Sequence, residues 1–225
     1  MNAARRRRPA LPEAARDQHE SPFATILADL VARAPGAKGA ALVDLDGEAV
    51  DYSGRISPFE IKVAAAHFRI VLHDLRRSGP LADASFLAVR AARASFVVQA
   101  LPDAYALVIV FARSAGFAGW QRAVAVCARS LAAEAGWSWE AGPPRWFAVD
   151  VGCDERRRPR ALQIDGEARP FEVLGAIVDA ARTRERSWRV RLDSGLEATL
   201  VREPSGFWYL DDHESPSESP AGKSR

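Results

Sequence analysis

The sequence contains little cysteine, no long apolar run and almost no excess of charge. Its two cysteines, Cys127 and Cys153, are too few for a disulfide framework or a cysteine metal cluster, so we expect a cytoplasmic protein. The longest apolar stretch, 104–112, is about half of what a membrane-spanning helix needs, and no transmembrane span is predicted.

The charged residues nearly cancel, with 31 Lys and Arg against 29 Asp and Glu and a net charge of +2. Bulk charge therefore does not favour nucleic acid as a partner. An arginine run at 5–8 is followed by no apolar segment, so no signal peptide is predicted. Residues 1–20 and 212–225 have no hydrophobic periodicity, and we expect both to be disordered tails.

The common signatures of catalysis are also missing. The sequence has no glycine-rich phosphate loop, no GxGxxG, no GxSxG, no Cys-x-x-Cys and no His-Glu-x-x-His. The four histidines, His19, His67, His73 and His213, do not recur at metal-ligand spacing. We therefore predict a protein that is not an enzyme and has no metal, no cofactor and no catalytic residue.

The composition is that of a globular protein, at 48% hydrophobic and 27% charged residues. A segment with Gly142, Pro143 and Pro144 separates a helical pattern from a strand-like one. The prediction is one domain over 21–136, a linker at 137–145 and a smaller domain over 146–211.

The first domain shows the order α-β-β-α-β-β-β-α, which predicts an α/β sandwich around an antiparallel sheet. The Asp46-Gly47 pair between two apolar runs indicates a β-hairpin. The last strand lacks polar alternation, which is typical of a strand covered on both faces. The predicted elements are a helix that begins at Pro22 and is ended by Pro35-Gly36, strands at 39–45 and 48–52, a helix at 58–77, strands at 85–91, 95–101 and 104–112, and a helix at 117–134.

The long helix at 58–77 carries apolar residues on two opposite faces. One face holds Phe59, Val63, Ala66 and Ile70. The other face includes Ile61, Ala65, Phe68 and Leu72. A helix of this kind needs two partners, which we expect to be its own sheet and a second copy of the chain. The alternative is that the helix is enclosed within its own chain, under the C-terminal domain. The predicted dimer contacts are Ile61, Ala65, Phe68, Leu72, Phe86 and Ala88.

The element order resembles that of roadblock/dynein-light-chain domains, and also that of profilin and longin folds. The more specific likeness is the segment from Pro35-Gly36 to Asp44, followed by Asp46-Gly47, together with the apolar pair of strands in 96–111. Roadblock domains dimerise through the second helix and the third strand. In bacteria they are typically partners or regulators of Ras-like small GTPases, and elsewhere they are scaffold or motor subunits. The resemblance therefore implies a homodimeric interaction or scaffold protein with a small GTPase as partner.

Residues 146–211 predict a small, all-β, barrel-like domain with strands at 146–151, 160–164, 171–180, 188–192, 197–201 and 207–210. Arg156, Arg157 and Arg158, together with Trp188 and Trp208, are candidate nucleic-acid contacts. The 12 arginines of residues 145–211 are balanced by 12 acidic residues, which favours core tryptophans and a solvated arginine face instead. A nucleic-acid-binding module and a small-molecule sensor of profilin type remain the alternative functions.

Overall fold

The computed structural model describes residues 17, 19–113, 115, 120–138, 146–164, 166–177 and 185–211. Their contacts divide the chain into two compact units. The first comprises the described parts of Met1–Ala32 and Gly36–Ala115, and the second those of Arg33–Pro35 and Gly116–Arg225.

The first unit is built on a five-stranded antiparallel sheet. Its elements are α1 (Pro22–Arg33), β1 (Ala37–Val43), β2 (Ala49–Gly54), α2 (Pro58–Arg77), β3 (Phe86–Arg90), β4 (Ala94–Ala100) and β5 (Ala106–Ala112). The strand order is β2-β1-β5-β4-β3, so β5 is central and β3 lies at an edge. Asp46 and Gly47 lie in the turn between β1 and β2, which confirms the predicted hairpin.

Helix α2 begins and ends as its sequence predicts. The hydroxyl of Ser57 accepts a hydrogen bond from the backbone N–H of Glu60 at 3.2 Å, and Pro58 occupies the first turn, where it costs no hydrogen bond. The helix packs against one face of the sheet, over β1, β2, β4 and β5.

Strand β5 is buried along almost its whole length, as its continuous apolar sequence predicts. Val108 and Val110 belong to the core beneath α2. The alternate residues Leu107 and Ile109 are fully buried as well, so both faces of this strand are covered.

In its described residues, the second unit combines one helix with a seven-stranded antiparallel sheet. Its elements are α3 (Gln121–Ala135), β6 (Trp146–Cys153), β7 (Pro159–Ile164), β8 (Glu167–Pro170), β9 (Glu172–Ile177), β10 (Arg186–Arg191), β11 (Glu197–Arg202) and β12 (Trp208–Asp211). The strand order is β8-β7-β6-β12-β11-β10-β9, and contacts between β7 and β9 show that the sheet curls. Its core is formed by Leu162, Val190, Ala198, Leu200 and Trp208.

Two features of the second unit differ from the sequence-based prediction. The strand β8 was not predicted, because its short and fully exposed sequence has no hydrophobic pattern. Helix α3, which was expected to complete the first domain, is grouped with the second unit. Most of the predicted linker at 137–145 and both predicted tails, apart from residues 17, 19 and 20, lie outside the described residues, so those boundaries stay predictions.

Candidate interaction surface

The outer face of α2 is an exposed apolar stripe. Phe59, Val63 and Ile70 are 75%, 51% and 58% exposed, and they lie four and seven residues apart along the helix. This spacing places them on one side of an α-helix, with the half-buried Ala66 between them. We call Phe59, Val63, Ala66 and Ile70 the outer stripe.

The opposite face of α2 is the one that packs on the unit's own sheet. Ile61, Ala65, Phe68 and Leu72, four of the predicted dimer contacts, are buried in the core beneath the helix. Phe68 also stacks on Phe96 of β4, with ring centroids 4.4 Å apart. These side chains therefore offer no surface to another chain, and their assignment to the dimer interface is corrected. Both faces are apolar, so helical periodicity alone did not show which one the sheet covers.

The other two predicted contacts lie on the edge strand β3. Phe86 is 55% exposed, and Ala88 is also exposed. Leu87 and Val89 point to the opposite side of the strand, where they pack against the core beneath α2. Strand β3 pairs with β4 and, among the described strands, with no other. The participation of Phe86 and Ala88 in a dimer stays a prediction.

Polar contacts hold one end of α2 to the rest of the unit. The Lys62 Nζ lies 2.9 Å from Asp17 Oδ1, and the Tyr52 hydroxyl donates to the same carboxylate at 2.7 Å. The hydrogen bond from Tyr52, followed by that from Lys62, lowers the pKa of Asp17. These charged groups lie beside the outer stripe and not within it.

A cleft of about 260 Å³ lies beside the C-terminal half of α2. Its wall is mostly apolar and includes Leu45, Ala100 and Tyr105, with Arg69, His73 and Arg76 from the helix. Arg69 is buried, and this burial lowers its pKa. The sensor alternative would use such a cleft, but nothing in its geometry selects a ligand.

The candidate nucleic-acid residues Arg156, Arg157 and Arg158 lie in the exposed turn between β6 and β7. Asp154 organises the turn, since its Oδ1 accepts hydrogen bonds from the N–H groups of Arg156 at 3.0 Å and Arg158 at 2.8 Å. The backbone bond from Arg158 is the main reason that the pKa of Asp154 is lowered. The three side chains separate: Arg156 and Arg158 line one cleft with Asp154 and Glu155, and Arg157 lines another.

The rest of the predicted nucleic-acid surface has structural roles. Trp208 is buried and Trp188 packs against it, with ring centroids 5.4 Å apart, so both tryptophans belong to the core of the second unit. Arg189 and Arg191 form ion pairs with Glu197 at 2.7 and 2.9 Å. Arg191 also pairs with Glu172 at 2.9 Å, so two carboxylates offset the two arginines on this side of β10.

The described parts of the chain contain no candidate for a metal site or for a membrane-spanning helix. They contain no group of three or more His, Cys, Asp or Glu side chains arranged for a metal ion. None of the helices there is long and apolar enough to cross a membrane.

Comparison with known proteins finds likeness among solved structures alone. No family model matches the sequence, and no curated protein matches it significantly. A roadblock/LC7 domain from Streptomyces avermitilis is 21% identical, with a TM-score of 0.45 over 50% of this chain and 97% of that chain. Myxococcus xanthus MglB is 14% identical, with a TM-score of 0.46 over 53% of this chain and 98% of its own. MglC of the same organism is 21% identical, with a TM-score of 0.39 over 50% and 98%.

The likeness is to roadblock domains. It covers about half of the chain, as the resemblance drawn from residues 35–47 implied. At these identities and TM-scores it concerns the fold, and no function follows from it.

Proposed function

We propose that the protein is a cytoplasmic, non-enzymatic homodimer that serves as an interaction platform. One observation supports this most directly: the outer stripe of α2 leaves three large apolar side chains exposed on a single helix face. Contiguous exposed apolar surface of this kind is typical of protein interfaces.

A second copy of the chain is the partner that best suits this surface. A two-fold interface brings the same patch of each chain together, so a flat apolar helix face is complementary to itself. The edge strand β3, which pairs only with β4 among the described strands, gives a second reason, because exposed strand edges tend to pair with other strands. Pairing two copies would cover both features.

The first test compares two substitutions at equally exposed residues. Ile70 in the outer stripe and Leu45 in the β1–β2 turn are both 58% exposed. We expect the native protein to have about twice the chain mass of 24.5 kDa in light scattering, Ile70→Asp to be monomeric, and Leu45→Asp to stay dimeric. A buried aspartate at the dimer contact would be unpaired, whereas one at Leu45 would stay in water. A monomeric native protein, or a dimeric Ile70→Asp variant, would contradict the proposal.

We further propose that the dimer binds a small GTPase of the Ras-like class. This part of the proposal rests on the resemblance of residues 35–47 and of the element order to roadblock domains. The measurement is capture of purified small GTPases of the source cell on the immobilised protein, in GDP and GTP-analogue states. Retention of one of them by the native protein and by Leu45→Asp is the expected result. If no GTPase were retained in either state, the proposed partner would be wrong, whereas the proposed dimer would be unaffected.

A further inference from the structure

We propose that the second unit contains a binding site for a small phosphate anion, formed by Arg157, Arg186 and Arg202. These arginines come from three different elements, the β6–β7 turn, β10 and β11, and line one cleft of about 240 Å³ with Glu203 and Pro204. Among the described residues, no acidic side chain forms an ion pair with any of the three. They are not adjacent in sequence, so only the fold brings them together.

The backbone conformation of Arg157 is the first observation that indicates a binding role for its side chain. Arg157 has a φ of 57°, in the left-handed region where a residue with a side chain costs roughly 1–2 kcal/mol. The β1–β2 turn is built in the same way, with Asp44 in the place of Asp154 and the same four hydrogen bonds. There the equivalent residue is Gly47, with a φ of 85°.

Two other hairpin turns of the chain repeat this arrangement. The turns from Leu192 to Leu196 and from Glu203 to Phe207 have the same pair of backbone hydrogen bonds, and the residues in the left-handed position are Gly195 and Gly206. Three of these four turns therefore use glycine, and the fourth uses an arginine whose side chain lines the cleft. The turn itself does not require that arginine.

The position of Arg186 opposite Arg202 is the second observation that supports an anion site. These residues lie directly opposite each other on the antiparallel strands β10 and β11, where like charges destabilise the pair. The Nε of Arg202 is also buried, and no protein group among the described residues accepts its hydrogen bond. A bound anion would relieve the repulsion between the guanidinium groups and accept hydrogen bonds from them.

Glu203 lines the cleft but is already neutralised. Its carboxylate, which is nearly fully buried, lies 3.2 Å from Arg122 Nη1, and Ser205 Oγ donates to it at 3.3 Å. Arg122 also forms a two-point pair with Glu185, at 3.0 and 3.1 Å. The three arginines and one glutamate that line the cleft, taken together with the Arg122–Glu185 pair behind Glu203, leave a net charge of +2, which suits an anion.

Phosphate is the anion class that best matches this geometry. Planar guanidinium groups bind phosphate oxygens through paired hydrogen bonds, and three of them can surround one tetrahedral group. A volume of about 240 Å³ is below the range of pockets that enclose whole organic ligands, so the cleft would hold the phosphate group and little more. Arg156 and Arg158 line the other cleft together with Arg160, where Asp154 and Glu155 offset two of the three positive charges.

The test titrates the full chain with inorganic phosphate against sodium chloride of equal ionic strength. Tryptophan fluorescence is the readout, because Arg202 lies over the Trp208 ring at 5.5 Å. We expect saturable binding of phosphate, weakened about tenfold or more by Arg157→Asn and by Arg186→Gln, and changed less than about twofold by Arg156→Asn. Arg156→Asn is the matched control, because it removes the same charge from the preceding residue of the same turn. Asparagine tolerates a positive φ, so Arg157→Asn should remain folded, which circular dichroism would verify.

Three outcomes would overturn the proposal. Chloride could produce the same fluorescence change as phosphate, or Arg156→Asn could weaken binding as much as Arg157→Asn, and either result would indicate unspecific attraction. A single-stranded oligonucleotide could bind where free phosphate does not, which would identify the turn as a nucleic-acid contact instead. A phosphate monoester in a parallel titration would show whether the group is bound free or as part of a small metabolite.

Discussion

At the level of single residues, Arg157 offers the sharpest prediction about stability. Replacing it by glycine should raise the free energy of unfolding by about 0.5–1 kcal/mol. The strain of a left-handed residue, roughly 1–2 kcal/mol, exceeds the extra chain entropy that glycine loses on folding. The turn of this variant would then have glycine in the left-handed position, as the β1–β2 turn has with Gly47. Urea unfolding followed by tryptophan fluorescence measures the change.

Arg156→Gly is the control for this prediction, and its effect should have the opposite sign. Arg156 is not among the residues with positive φ, so glycine brings only its entropic cost there, about 0.5–1 kcal/mol of destabilisation. If both variants lose stability, the conformation assigned to Arg157 is wrong. If Arg157→Gly is more stable but no longer binds phosphate, the residue exchanges stability for binding, as strained residues at functional sites commonly do.

At the level of elements, α2 has two apolar faces with different roles, and two phenylalanines distinguish them. Phe68 is 8% exposed and packs on Phe96, whereas Phe59 is 75% exposed. In the Ile70→Asp background, chosen to exclude dimer formation, Phe68→Ala should lower the free energy of unfolding by about 3–5 kcal/mol. Phe59→Ala should change it by less than about 0.5 kcal/mol. Equal losses in urea unfolding would show that the face assignment is wrong.

The same comparison explains how a test of dimerisation has to be designed. A charge at Phe68 would be buried without a partner inside the sheet's own core, so it would unfold the unit instead of separating two copies. A charge at Ile70 stays exposed in the monomer, so it reports on assembly alone.

At the level of the whole molecule, the chain joins a mixed α/β unit to a curled antiparallel sheet. The proposed roles separate in the same way, with self-association assigned to the first unit and phosphate binding to the second. Ile70→Asp should therefore leave phosphate binding unchanged, because Ile70 belongs to the first unit and the three arginines to the second. This independence allows either proposal to fail without the other.

Local sequence was enough to predict most elements of the fold. The apolar periodicity of 58–77 predicts the bounds of α2, and Asp46-Gly47 predicts the first hairpin. These features depend on neighbours within a few residues, which the sequence displays directly. The strand β8 is not predicted, because all four of its residues are exposed and its sequence has no hydrophobic alternation.

Tertiary structure decided what the sequence left ambiguous. The amino-acid sequence determined that α2 has two apolar faces, but only the packing of the sheet decided that Phe68 is inside and Phe59 outside. The sequence likewise places three arginines next to one another at 156–158, but the fold divides them between two clefts. Only the fold brings Arg157 to the cleft that Arg186 and Arg202 also line. Periodicity records which side of an element a residue is on. Which surface meets that side depends on contacts between residues far apart in the chain.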